Sequence, residues 1–121
     1  MKADEDGFPR IGRCSRELGV RVVGLAQDVP VGPNDEVRPL TGGMSVAADD
    51  ARNLPKHRLP FSLGGDGPDP VFATSTDILN PALQLRVDRY PHALVEPSHV
   101  VTLRRFEADL AATRGHWSRL A

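Results

Sequence analysis

The 121-residue chain has one cysteine, Cys14, so it has no internal disulfide framework and no cysteine-based zinc site. A reducing cytoplasm suits such a chain, and so does delivery into the cytoplasm of another cell. Long hydrophobic runs are also missing: none approaches the roughly 20 residues of a membrane span. The acidic start MKADEDG is unlike a signal peptide, and no membrane association is expected. An excess of either charge is missing too. Fifteen Lys and Arg stand against sixteen Asp and Glu, a formal net charge of −1, which argues against a broad footprint for nucleic acid or an anionic membrane. A local basic patch stays open. Thirteen of the basic residues are arginine, a choice that suits bidentate contacts to phosphate or carboxylate and that also follows from a compositional bias.

What is present fits one domain over residues 1–121, long enough for a modest core. The charged residues 1–9 read as a disordered, frayed end or a boundary. The stretch RIGRCSRELG allows a short helix around Ser15 to Leu18 closed by Gly19, and VRVVGL, residues 20–25, is β-branched and apolar like a strand. Prolines and glycines then restrict 27–43 to turns and very short strands. MSVA, 44–47, is a strand candidate. Residues 49–70 hold four prolines and three glycines, which rules out a long element and leaves a loop of functional or mobile character.

Regularity returns after residue 70. VFATS, 71–75, reads as a strand, and TDILNPAL as a turn capped by Thr76 or Asp77. LQLRVD, 83–88, alternates apolar Leu83, Leu85 and Val87 with polar Gln84, Arg86 and Asp88, the clearest strand signal in the chain. YPHALVEPSHVV supplies one or two further strands broken at Pro97. In TLRRFEADLAATRGHW, Thr102 is an N-cap, Leu103, Phe106 and Leu110 make one apolar face, and Gly115 is a terminator. The expected architecture is α+β: short strands, long turns and a C-terminal helix.

No metal-ligand spacing stands out, because His57, His92, His99 and His116 are scattered and a proline lies between His92 and His99. Ser45, His92 and Glu96 supply the residue types of a nucleophile, base and acid set but lack a nucleophile elbow. GGDGPDP has glycines but neither the lysine nor the following helix of a P-loop, and reads as a mobile loop. Two glycines precede the MSVA strand. Gly42 and Gly43 make a tight turn, or let a backbone approach a ligand closely.

Four stretches in order resemble the Tse2-like bacterial toxins, NAD-dependent effectors of type VI secretion with an ADP-ribosyltransferase-like fold. TGGMSV is similar to that family's Thr-Gly-Gly-Thr-Ser-Val, STDIL to its Gly-Thr-Asp-Ile-Pro, LQLRVD to its alternating strand ending in Asp, and HALVEP to a His-x4-Pro strand. With the closing helix and Trp117, the likeness spans about residues 40–117. It implies NAD as substrate, a macromolecular target and an immunity protein as partners, and a compact fold of short strands with a C-terminal helix. It implies cofactor binding by Thr41, Gly42, Gly43 and Arg86, with Ser45 orienting the ribose and His92 in the site.

Cleavage of the nicotinamide bond passes through an oxocarbenium-like state that a carboxylate stabilises. Glu96 is the one acid in a plausible strand position, although the family has none there, and Met44 replaces a family threonine. An early-strand arginine is also implied, for which Arg10, Arg13 and Arg21 are candidates. The other reading is a non-catalytic binding or interaction module on the same fold, in which Ser45 is merely exposed and Glu96 is a strand end.

Overall fold

The computed structural model describes residues 1–120. In chain order the strands are β1 (Glu36–Val37), β2 (Met44–Ala47), β3 (Phe72–Ala73), β4 (Leu83–Arg89), β5 (His92–Pro97), β6 (Val101–Thr102) and β7 (Ser118–Arg119). One helix, α1 (Leu103–Ala112), lies between β6 and β7 among the described residues. The domain is thus mixed α+β, as composition and pattern suggested.

The alternating stretches make the main sheet, an antiparallel β2-β5-β4 arrangement. Met44, Val95 and Leu85 form one row across it, and Ser45, Leu94 and Arg86 form the next. Because successive side chains point to opposite faces, one face carries Met44, Val95 and Leu83 into the core. The other carries Ser45, His92, Leu94, Glu96, Gln84 and Arg86. Two-stranded ribbons complete the scaffold: β1 pairs with β6, and β3 with β7.

Thr102 caps α1 as its spacing required, accepting the Arg105 N–H at 3.2 Å, while Phe106 and Leu110 are buried. The helix stops at Ala112, three residues before Gly115, because Thr113 turns the chain into a 3-10 turn over Arg114–His116. Thr113 Oγ1 donates to Leu110 O and accepts the buried Trp117 indole N–H at 2.9 Å.

The core is unevenly sealed. Leu18, Val20, Val29, Val37, Phe106 and Leu110 are at most 1% exposed, whereas Met44, Phe72, Leu79 and Trp117 retain 6–8%.

Several local expectations give way to tertiary packing. Residues 20–25 are not a strand: Val20 and Val29 bury while Val23 and Leu25 stand exposed on a loop. Asp28 closes that loop, accepting the Arg21 backbone N–H at 2.7 Å and its guanidinium at 3.1 Å. Residues 15–18 form a turn rather than a helix, since Leu18 N donates to Arg10 O and Leu18 bridges to Ile11. Residues 1–9 are not frayed. Ala3 bridges to Pro9, and Arg114 donates to Pro9 O, Asp4 and Asp6.

The 49–70 segment folds on itself through three 3-10 turns. Gly65 and Gly67 lie so close to the backbone at Leu59 and His57 that a Cβ would meet carbonyl oxygens at 2.1 and 2.4 Å. Gly65 and Gly67 therefore pack the loop rather than loosen it. The 76–78 turn is capped by Ser75, one residue before the expected cap: its Oγ accepts the Asp77 N–H at 3.3 Å.

Candidate functional site

Ser45, His92, Glu96 and Arg86 fall on one face of the main sheet and Thr41, Gly42 and Gly43 lie in the turn before β2, but most of the seven are engaged internally. Glu96 is fully buried. Its carboxylate accepts Gln84 Nε2 at 2.8 Å, Arg86 Nε at 3.1 Å and the Leu40 N–H at 3.1 Å. A carboxylate so enclosed is engaged by groups of its own chain. Leu40, whose N–H it takes, stands at φ +66°, a left-handed conformation that costs a side-chain residue about 1–2 kcal/mol.

The glycine pair has a structural use. Gly42, at φ +150°, would place a Cβ 2.2 Å from Asp28 O, and a Cβ on Gly43 would lie 2.3 Å from Val95 O. Both glycines are buried against the chain itself, and Gly43 N donates to Asp28 O at 3.0 Å. The close approach inferred from the sequence is thus made by backbone from two distant segments. Exposed Thr41 donates its hydroxyl to Arg38 O at 2.8 Å.

Ser45 and His92 are exposed and share that sheet face, with His92 opposite Ala47 and Ser45 opposite Leu94. The His92 ring is 2.6 Å from Asp88 Oδ1, and this hydrogen bond holds the Asp88 carboxyl below the usual carboxylate range. The candidate early arginines are each paired: Arg10 with Asp4, Arg13 with Glu107 and Arg21 with Asp28. Arg86, like Arg10, donates only through Nε and keeps its terminal nitrogens without a hydrogen bond among the described residues.

A concave feature of the molecule lies on the opposite, apolar face. A cleft of about 820 Å³ runs between the main sheet and the 49–58 and 69–76 segments. Met44, Val46, Leu85, Val95, Phe72 and Trp117 wall it, so the less sealed half of the core borders this space. Ser45 and His92 reach its rim, whereas Thr41, Gly42, Gly43, Arg86 and Glu96 do not.

Two strand edges open onto the cleft. Every residue from Met44 to Ala51 and from Asp69 to Thr76 lines it. Side chains alternate in a strand, so the unbroken run over the four residues of β2 means that its backbone edge borders the space. The ladder identifies the free groups. Ala48 N donates to Pro91 O and Leu120 N to Val71 O. Bonded pairs alternate with non-bonded ones in an antiparallel ladder, so Ser45 and Ala47 turn their N–H and C=O away from β5, and Phe72 turns its own away from β7. Gly43 has the same parity, and its outward N–H reaches Asp28.

At one mouth of the cleft the Tyr90 phenol donates to Asp49 Oδ2 at 2.8 Å. That bond and the Asp49 charge push the Tyr90 phenol up, and Asp50 adds to the effect. Among the described residues no group of three or more His, Cys, Asp and Glu is placed to hold a metal ion. Nor is any helix there long and apolar enough to cross a membrane.

Comparison with protein families, with curated proteins and with solved structures returned no match. The cleft escaped sequence reading. Its one signal was the long 49–70 segment set between two short strand candidates, which brings two unpaired edges towards each other.

Proposed function

We propose that the protein is a non-catalytic binding module and that the cleft between β2 and β3 is its binding site. The single observation that carries this reading is the cleft: about 820 Å³, lined largely by core-type side chains, within the size range of ligand pockets. The occupied state of the expected catalytic groups supports it. Glu96 is committed to Arg86, Gln84 and Leu40, and the glycine pair to Asp28 and Val95.

An ADP-ribosyltransferase-like arrangement is part of the proposal. Its support is that three of the stretches carrying the likeness, TGGMSV, LQLRVD and HALVEP, supply neighbouring strands of one sheet. A second reading is an NAD-consuming toxin, through ADP-ribosyl transfer or NAD hydrolysis. It is favoured by Ser45 and His92 sharing a sheet face at the cleft rim.

Saturation-transfer NMR of the full chain with uncharged aromatic fragments, and separately with NAD, tests both. The binding module is expected to take fragments at the cleft, to lose them in Val46→Trp, and to release no nicotinamide from NAD. Release of nicotinamide that Ser45→Ala or His92→Ala abolishes would overturn it in favour of the enzyme. A chain that takes no probe at the cleft would overturn the site.

A further inference from the structure

The shape of the cleft says what kind of molecule suits it. A pocket for a compact ligand has a few convergent polar groups on an apolar wall. This one is bordered by backbone, along the β2 edge at Ser45 and Ala47 and along the β3 edge at Phe72. Their N–H and C=O groups have no partner among the described residues. Unpaired strand edges are templates for another extended chain. The four residues of β2 give an edge about 14 Å long at about 3.4 Å per residue.

The rim adds a charge preference. Asp28 and Asp69 are neutralised by Arg21 and Arg16. Among the described residues Asp49 and Asp50 form no ion pair, their side chains accepting the Tyr90 hydroxyl and the Arg52 N–H, and Tyr90 is 61% exposed. Two carboxylates beside an accessible aromatic ring attract a cationic side chain by charge and by the ring face. Of the guanidiniums that border the cleft, that of Arg21 is held by Asp28 and that of Arg58 donates to Ser15 O, while exposed Arg89 makes no ion pair among the described residues.

We infer that the cleft binds an extended peptide segment of a protein partner, which adds as a strand along β2, directs alternate apolar side chains onto the half-buried Val46 and Leu85, and sets a basic residue against Asp49, Asp50 and Tyr90. This inference rests on the cleft being the binding site. Main-chain hydrogen bonds to Ser45 and Ala47 hold the strand, the apolar wall selects every second residue, and the acidic rim fixes its direction.

The test is a titration of the ¹⁵N-labelled full chain with an acetylated, amidated Lys-Val-Thr-Val-Thr-Val peptide. The same peptide N-methylated at alternate residues, in either register, is run beside it, as is a version with Glu in place of Lys. Saturable shifts of the Ser45, Ala47 and Phe72 amides are expected. At least one N-methylated peptide should bind about tenfold more weakly, the loss of one main-chain hydrogen bond. The Glu peptide should bind up to about fivefold more weakly, as befits an exposed ion pair.

Binding of both N-methylated peptides as tight as that of the unmodified one, or shifts confined to other parts of the chain, overturns strand addition. If aromatic fragments move the cleft amides and the peptide does not up to millimolar concentration, the inference fails while the binding site stands. If neither moves them, both fail. Concentration-dependent sedimentation through the same edge, with no response to peptide, would give the place to a second copy of this chain and overturn the peptide partner.

Discussion

Glu96 shows how burial decides the role of a chemically competent residue. With 0% exposure and three hydrogen-bonding neighbours, it ties together β4, β5 and the Leu40 turn on the sheet face opposite the core. Breaking a buried charged pair costs about 3–5 kcal/mol. Glu96→Ala is therefore expected to lose stability on the order of 3 kcal/mol in urea unfolding, while Ser45→Ala stays within about 0.5 kcal/mol. A stable Glu96→Ala chain would return the carboxylate to the list of groups free for chemistry. Asp69 carries a pH dependence. The Arg16 guanidinium beside it holds its carboxyl below the usual range, through hydrogen bonds of 2.6 and 2.8 Å. A carboxyl lowered in the folded chain adds stability above its unfolded value of about 3.9, and that stability is lost as pH falls through the lower folded value. Arg16→Gln should remove this contribution at neutral pH, so its stability falls less steeply than the parent's on acidification below about pH 4. Parallel acid limbs in urea melts from pH 2 to 6 would refute the linkage. Neither role was legible in the sequence, because the partners of Glu96 lie 10–56 residues away and those of Asp69 lie 53 away.

Among the elements, legibility followed locality. The helix cap, its buried face and the alternating strand are patterns written within a few residues, and they appear as α1 and β4. VRVVGL has the composition of a strand but found no neighbour to pair with, and Asp28 turned it into a loop. The glycine pair was legible as a place of close approach. What approaches is Asp28 and Val95, which no local pattern names. Two substitutions test how the last element is held. Thr102→Ala removes the side-chain acceptor from the α1 N-terminus and should cost about 1 kcal/mol. Thr113→Val leaves the Trp117 indole N–H buried without a partner and should cost about 1–3 kcal/mol, the penalty of an unsatisfied donor. Thermal melts of the two variants that differ little from the parent would mean that the cap and the indole bond are replaced by water.

At the scale of the whole molecule, segments far apart in sequence are joined by arginine forks. Arg13 reaches Glu107 across 94 positions, and Arg114 reaches Asp6 across 108. The arginine-rich composition thus finds part of its use in carboxylate pairing within the chain, one of the two geometries it suited from the start. Being exposed, each fork contributes little, typically up to about 1 kcal/mol, and less in salt. Arg13→Gln should accordingly shift the urea midpoint only slightly, and a double-mutant cycle with Glu107→Gln should give a small coupling that shrinks in high salt. The uneven sealing of the core has a larger effect on motion. Amides packed around Phe106, Val37 and Leu18 sit in a closed interior, whereas those near Met44, Phe72 and Trp117 border open space. Local opening there requires less apolar surface to be exposed, so solvent reaches that half without global unfolding. Native-state deuterium exchange should therefore resolve two tiers of protection, a slow one beneath the helix and a faster one along β2 and β3. A molecule bound in the cleft would slow the faster tier towards the rate of the slow one, so that occupancy is read in the timing of exchange alone.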